Sequence, residues 1–425
     1  MQARDLFHRS VPLPPGSLAA GRPHEAQADD RFFLKESARH GAIFKLFWGS
    51  GQLKTCVVGL SRGRRLLRQH RGALRLVNVT DITPLVPAEY LRSMSPELHP
   101  KYRSLFQRAF RSDLVAPREA ELRGIMQAEL SRLADTAMPV TPPARQLYSA
   151  LDTIATKALL LTTLGVGPDS SIATELEQLY GRLGPDGRVA QVGPPQTAAF
   201  SAIHDAVEQQ RQAITRDPHA PIGDCVLRRL MNADAAAVDE TVIGNTIYMV
   251  ERGRHDLRDL LRWIVKYLSD HPAVIAEIRM SLRAPDRSRL AEASVLETLR
   301  LDQAEQLNRK ASRSFQFDGF HFPAGSWVSI LLRESHRNPE TFSEPDAFRP
   351  HRFLERSYSA DEYSPFGIDE HQCIAGSLVV RLSTLFVEEM VRGFTWTVSA
   401  DGPRHHGALH WEPSPDFAID LRRSD

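Results

Sequence analysis

The chain has 425 residues, and its 53 basic and 52 acidic side chains leave a formal net charge of +1. That length allows one large domain or up to three small ones, and so even a charge balance gives no whole-molecule field toward nucleic acid or a membrane surface. No run of 18 apolar residues occurs, which argues against a membrane-spanning helix. Only seven of the basic residues are lysines. With charge near balance, that bias reads as codon usage and not as a binding signature. Three cysteines, Cys56, Cys225 and Cys373, are too few for a disulfide framework and fit a reducing, cytoplasmic compartment.

In chain order, residues 1–29 are polar, with a Pro-rich piece at Val11–Pro15 and no apolar core of a signal peptide. No linker interrupts residues 30–425, which read as one domain. Gly41 to Leu60 predicts a hairpin: Ile43–Trp48 and Leu53–Val58 are apolar and aromatic, and Gly49-Ser-Gly51 makes the turn. A helix is expected over Arg62–Gln69. Leu74 to Ser95 reads as loop, with prolines and no sustained period. Helical patterns follow at His99–Arg111, Pro117–Ala137, Ala144–Thr163, Ile172–Leu183, Gln196–Arg216 and Cys225–Asn232. The longest, Val238–Ser269, stops before His271-Pro272 as a helix should. Arg313 to Leu332 changes to short β-like runs with turns at Asp318-Gly319 and Pro323-Ala-Gly325. The fold class is mainly α with small β-sheets.

The chemistry concentrates in Ser364-Pro-Phe-Gly-Ile-Asp-Glu-His-Gln-Cys-Ile-Ala-Gly376. Cys373 follows a Pro-Phe-Gly turn and precedes a helix expected over Ser377–Met390. The helix dipole and backbone amides at such a start favour a thiolate, presenting one sulfur to one metal centre. Upstream, Glu297 and Arg300 are three apart and share a helix face. Arg352, in Phe348-Arg-Pro-His-Arg-Phe353, is a second guanidinium able to close a Glu-Arg-Arg cluster. His99 and Arg103 are four apart on another helix.

These motifs, in this order, resemble those of the cytochromes P450, the haem-thiolate monooxygenases: the loop from Phe366 to Cys373, Glu297-Thr-Leu-Arg300 as E-x-x-R, the F-x-P-x-R-F segment, and His99-Pro-Lys-Tyr-Arg103 as H-x-x-x-R. The likeness covers roughly residues 30 to 420. It implies the P450 fold, haem b as cofactor, Cys373 as axial iron ligand and Phe366 beside it. It also implies that His99, Arg103, Arg309 and His371 bind the two haem propionates, since a buried carboxylate needs a partner. The Glu-Arg-Arg cluster is expected to be buried and structural. Two loop positions depart from the family. Asp369 stands where glycine is usual, and Ala375 stands where glycine follows the cysteine by two. A glycine replaced at positive φ costs about 1 kcal/mol or more.

A larger departure lies in the long helix. In the family it crosses the distal face of the haem and reads small-Gly-x-acid-Thr, the acid and alcohol relaying protons. Counting back from Trp263 and His271-Pro272, the matching stretch is Arg252-Gly-Arg-His-Asp256. His255 stands for the acid and Asp256 for the threonine, with no hydroxyl adjacent. Three enzymatic readings fit. His255 and Asp256 replace the relay in a monooxygenase. Arg252 or Arg254 anchors an anionic substrate, with peroxide in place of dioxygen. Alternatively, a coupling, dehydration or rearrangement uses another proton path. Ion pairing on the back of the helix is the bland alternative for Glu251, Arg254, Arg258 and Asp259. A rival of another class is a non-catalytic P450-like scaffold for a partner enzyme.

The resemblance further implies oxidation of a small organic molecule, plausible in bacterial specialised metabolism. Electrons would come from a ferredoxin or flavodoxin with its reductase, docking near Arg108 and Arg111. No nucleic-acid partner and no membrane anchor are expected. Pocket residues are expected within Leu74–Ser95, Leu179–Phe200, Thr246–Leu257, Glu305–Ser312 and His405–Trp411.

Overall fold

A computed structural model describes residues 11–17, 22–48, 51–76, 85–86, 90–135, 142–184, 191–217, 222–283, 289–303, 306–407 and 410–424. The hairpin tip at Gly49-Ser50 and parts of four expected pocket segments (77–84, 87–89, 185–190, 305 and 408–409) lie outside the described residues.

The molecule is helix-rich, and the expected helices form within a few residues of their expected bounds. The long helix runs Glu240–Asp270. Asp239 caps it, its carboxylate accepting from the Val242 amide at 3.0 Å. It ends at His271, where Pro272 opens the next helix, Pro272–Ser281. Apolar residues recur on every side of the long helix, so it is buried along most of its length. It packs on Pro143–Leu159, which continues into a π-turn at Leu160–Leu164. Glu119–Ala134, Leu290–Thr298 and Gly376–Gly393 complete the helical core around it.

A five-stranded sheet stands to one side in the order Ile43–Trp48, Gln52–Val58, Trp327–Leu331, Gln306–Ala311 and Leu74–Leu76. The hairpin pairs antiparallel with Phe44 opposite Cys56, and Gln52–Val58 runs parallel to Trp327–Leu331. Leu74–Leu76 is therefore a strand and not loop: its three residues pair with Arg309–Ala311, a long-range contact that no local pattern announces. Gln306–Ala311 thereby places Arg309 at the edge of the central cavity.

Two features arise in the N-terminal region read as a polar segment. Arg22–Ala28 is a short helix, and Ala26 is buried against Phe32, Phe33, Phe44 and Leu46. Before it, Pro15 accepts the Lys45 amide at 2.8 Å, Pro12 accepts that of His321 at 2.8 Å, and Gly16 bridges Lys45 in parallel. The Pro-rich piece thus runs from the separate strand Phe320–Phe322, at His321, to the outer edge of the first strand, at Lys45. No helix among the described residues is long and apolar enough to cross a membrane.

Candidate active site

Gly367, at φ 93°, makes the turn of the cysteine loop, and the Cys373 amide closes it by donating to the Phe366 carbonyl at 2.9 Å. Asp369–His371 form one 3-10 turn, and the helix Gly376–Gly393 begins just after the cysteine. A Cβ on Gly376 would fall 2.9 Å from the Phe366 ring, so a glycine there lets the ring pack under the loop. Asp369 adopts φ 69°, in the left-handed region where a lost glycine is costly, whereas Ala375 at φ −94° is unstrained.

The Cys373 side chain is accessible and lines a partly open cavity of ≈290 Å³. Burial in this setting pushes the thiol up to about 11, against the Ala375 amide and Arg103, which pull it down, while Asp256 adds to the rise. The Ala375 amide at the helix start favours the thiolate, as expected, and desolvation opposes it.

Four arginines line the same cavity: Arg92, Arg103, Arg252 and Arg309. Arg103 reaches the Gln372 carbonyl at 2.7 Å, and Arg309 reaches the Asn308 carbonyl at 3.0 Å. Among the described residues none of the four has a carboxylate within ion-pair reach. The contrast is with the buried arginines elsewhere, such as Arg254, Arg300 and Arg333, which do. Burial pulls Arg309 down to about 10. The rings of His99 and His371 stand 4.4 Å apart. Nε2 of His99 and Nδ1 of His371 are buried with no hydrogen-bond partner. Desolvation first, then neighbouring cations, lowers the histidines, His371 to about 3. Orphaned donors and unbalanced positive charge at one end of a cavity fit a group bearing two carboxylates. Arg92, on the turn Leu91–Ser93, and the neighbouring Tyr90 were not singled out from sequence, because their segment has no periodicity to place them.

On the long helix, Met249, Arg252, Gly253, Asp256, Leu257 and Leu260 face the cavity. His255 does not. It lies on the opposite side, its Nε2 3.0 Å from Glu251 Oε1 and its Nδ1 2.9 Å from Arg258 Nη1. An arginine can only donate, so Nδ1 accepts and Nε2 carries the proton: the ring is a neutral strut. Neighbouring residues differ by about 100° around a helix, which sends 252 and 256 to one side and 251, 255 and 258 to the other. Arg254 completes this back network, with Glu251 at 2.9 Å, Asp152 at 3.2 Å and the carbonyls of Tyr180 and Gly184 at 2.9 and 3.0 Å.

Glu297, Arg300 and Arg352 form the expected cluster. Arg300 grips Glu297 with two bonds of 2.8 Å, and Arg352 adds one of 3.1 Å. The same guanidinium of Arg300 serves the carbonyls of His336, Pro345 and Ala347. All three side chains are essentially fully buried. The cluster ties the helix Leu290–Thr298 and its continuation to the segment leading into the cysteine loop. The expected pocket segments contribute unequally: among the described residues the cavity takes lining from 76–92, 249–257 and 306–309, and none from 179–200 or 405–411.

A sequence profile of the cytochrome P450 family matches residues 253–410. Abscisic acid 8'-hydroxylase 3 of Oryza sativa is 25% identical over 92% of this chain and 82% of that protein. Abscisic acid 8'-hydroxylase 1 of Arabidopsis thaliana is 23% identical over 92% of this chain and 88% of its own length. The fold matches that of a retinoic acid-bound cyanobacterial CYP120A1 with a TM-score of 0.77, at 19% identity, over 98% of this chain and all of the other. A single sulfur behind a Pro-Phe-Gly turn, a cavity lined by four arginines and likeness along nearly the whole chain lead to one assignment: the chain has the cytochrome P450 fold and, over residues 253–410, the sequence pattern of that family, the make-up of a monooxygenase-like haem-iron oxidoreductase.

Proposed function

We propose that the chain hydroxylates a small organic molecule, with haem b in the central cavity and Cys373 as its axial iron ligand. The observation that carries this reading is the Cys373 sulfur opening on a cavity whose four arginines have no carboxylate within ion-pair reach among the described residues. A haem bound there supplies reductive activation of dioxygen and insertion of one oxygen atom into a C–H bond.

The chain's own residues do the rest. Arg103, Arg309, His99 and His371, joined by Arg92, would hold the two propionates of a bound haem. The Ala375 amide bonds to the Cys373 sulfur and moderates its charge. Phe366 packs on Gly376 and keeps the loop closed on the side away from substrate. Asp256 handles protons on the cavity side, holding water at its carboxylate in place of the missing alcohol. His255 is engaged at both nitrogens and supports the helix from behind. Arg252 faces substrate.

Electrons come from a ferredoxin or flavodoxin with its reductase. The docking face is the shallow hollow over Cys373 formed by Arg103, Gln107, Arg111 and Gln372. Its basic character suits an acidic carrier. The proposed setting is specialised metabolism in a bacterial cytoplasm.

The test is the spectrum of the reduced holoprotein under carbon monoxide. A strongly red-shifted Soret band is expected for wild type and its loss for Cys373→Ala. Wild type without that band, or an unchanged band in the variant, defeats the assignment. Turnover with a ferredoxin system should exceed turnover with hydrogen peroxide.

A further inference from the structure

His405 and Glu412 face each other across the two-stranded hairpin His405–His406 and Trp411–Glu412, a direct antiparallel pair, so their side chains share one face. That hairpin meets the long helix at Asp259 and Arg262, three residues apart on one side of it. Arg262 bonds to Glu412 Oε2 at 3.3 Å, and His410, just before the second strand, brings Nε2 to 3.4 Å from Asp259 Oδ2. One ligand atom each from Asp259, His410 and Glu412 thus lies within 4.8 Å of the other two. Asp259 and His410 are 2% and 5% exposed, and Glu412 is half-buried. None of these residues lines the central cavity.

The neighbours of this cluster leave its inner atoms open to a cation. Arg258 occupies Asp259 Oδ1 at 2.8 Å, and Oδ2 is the oxygen that faces His410. Gly407 has no Cβ to collide with Glu412 Oε1, so that carboxylate lies back over the hairpin turn. His405 donates from Nδ1 to the Pro413 carbonyl at 3.1 Å, which leaves Nε2 as a lone pair, 3.7 Å from Glu412 Oε2. A backbone bond of this kind is how metal-ligating histidines are oriented. The 3.4 Å between Asp259 and His410 is long for a hydrogen bond. It is near the ~3.3 Å that separates neighbouring ligands around a tetrahedral metal with bonds of ~2.0–2.1 Å. Positive charge is also short. Arg254, Arg258 and Arg262 face Glu251, Asp152, Asp259 and Glu412, three guanidiniums against four carboxylates among the described residues.

We infer that Asp259, His410 and Glu412 bind one divalent cation of the zinc class, with His405 the next donor beside Glu412. Imidazoles together with carboxylates favour such a borderline metal, whereas calcium and magnesium prefer shells made of oxygen alone. A cation held there fastens the hairpin to the long helix, less than one turn beyond the cavity-lining Asp256. The site is independent of the haem-thiolate reading.

The experiment uses the purified full chain, treated with chelator, dialysed and titrated with zinc chloride. Calorimetry should give one zinc per chain. Zinc at a hundredfold above its Kd should raise the Tm by about 3 °C, and calcium or magnesium at the same concentration should not. His410→Gln should weaken zinc binding about a hundredfold and His405→Ala about tenfold. His351→Ala, outside the cluster, should leave it unchanged. Absence of zinc binding by wild type overturns the inference, as does binding without a rise in Tm or an equal rise with calcium. Zinc binding that survives undiminished in both His410→Gln and His405→Ala marks the ion as adventitious and overturns it too. Should His410→Gln fail to fold, wild type and the half-buried His405→Ala site decide the matter by the same readouts.

Discussion

His255 donates through Nε2 to Glu251 at 3.0 Å on the side of the long helix turned away from the cavity. Asp256, the next residue, lines the cavity. Substituting the two should therefore give opposite phenotypes. His255→Ala leaves the buried Glu251 carboxylate with one partner fewer and should cost about 2–3 kcal/mol in urea unfolding, with the haem spectrum unchanged. Asp256→Asn should leave unfolding nearly unaltered and slow ferredoxin-driven turnover about a hundredfold.

Glu297 is the carboxylate on which two buried guanidiniums converge. Glu297→Gln removes its charge and strands both cations, and should cost about 3–5 kcal/mol, enough to prevent recovery of folded protein at 37 °C. Arg300→Lys should fare no better, because a lysine cannot reach Glu297 and three carbonyls at once.

The cysteine loop offers a pair of opposite changes. Asp369 sits at φ 69°, so Asp369→Gly should raise stability by about 1 kcal/mol, read as a higher urea midpoint. Gly376→Ala places a methyl group against the Phe366 ring. It should shift the Soret band of the holoprotein and lower haem retention on gel filtration, because the ring must move.

His336 supplies a pH dependence. It is fully buried, accepts the Ser364 amide at Nε2 (2.9 Å), and burial lowers it to about 3. The unfolded chain protonates this ring near pH 6.5, while the folded chain resists until about pH 3. Unfolded protein thus binds more protons across that window. Stability is fully present above pH 6.5 and falls with pH, by at most about 1.4 kcal/mol per unit from this group. His336→Gln keeps an acceptor for Ser364 and should flatten the difference between unfolding curves at pH 7 and pH 5.

Much of this site was legible because its chemistry sits in short local patterns. Cys373 with its Pro-Phe-Gly turn, Glu297 with Arg300, and His99 with Arg103 are each fixed by a few neighbouring positions, and the structure brings all of them where the spacing suggests. What the sequence hid is tertiary. The stretch Arg252 to Asp256 contains four charged or titratable groups in five residues, and composition alone does not say which of them look at the cavity. Rotation about the helix axis decides that, and it sends His255 backward. The strand Leu74–Leu76 exists only because Arg309–Ala311 arrives from far along the chain. Arg92 and Tyr90 sit in an aperiodic segment, and their meaning comes from what stands across the cavity.

The Pro-rich piece along Ile43–Trp48 has a consequence for how this protein keeps to itself. Pro15 accepts from Lys45 on that strand and Pro12 from His321 on a separate hairpin, and prolines have no amide hydrogen with which to extend the ladder further. The sheet therefore finishes in a row that a second molecule cannot readily zip onto. Trimming residues 1–16 would bare the strand beneath, and the shortened chain should clump as its concentration rises.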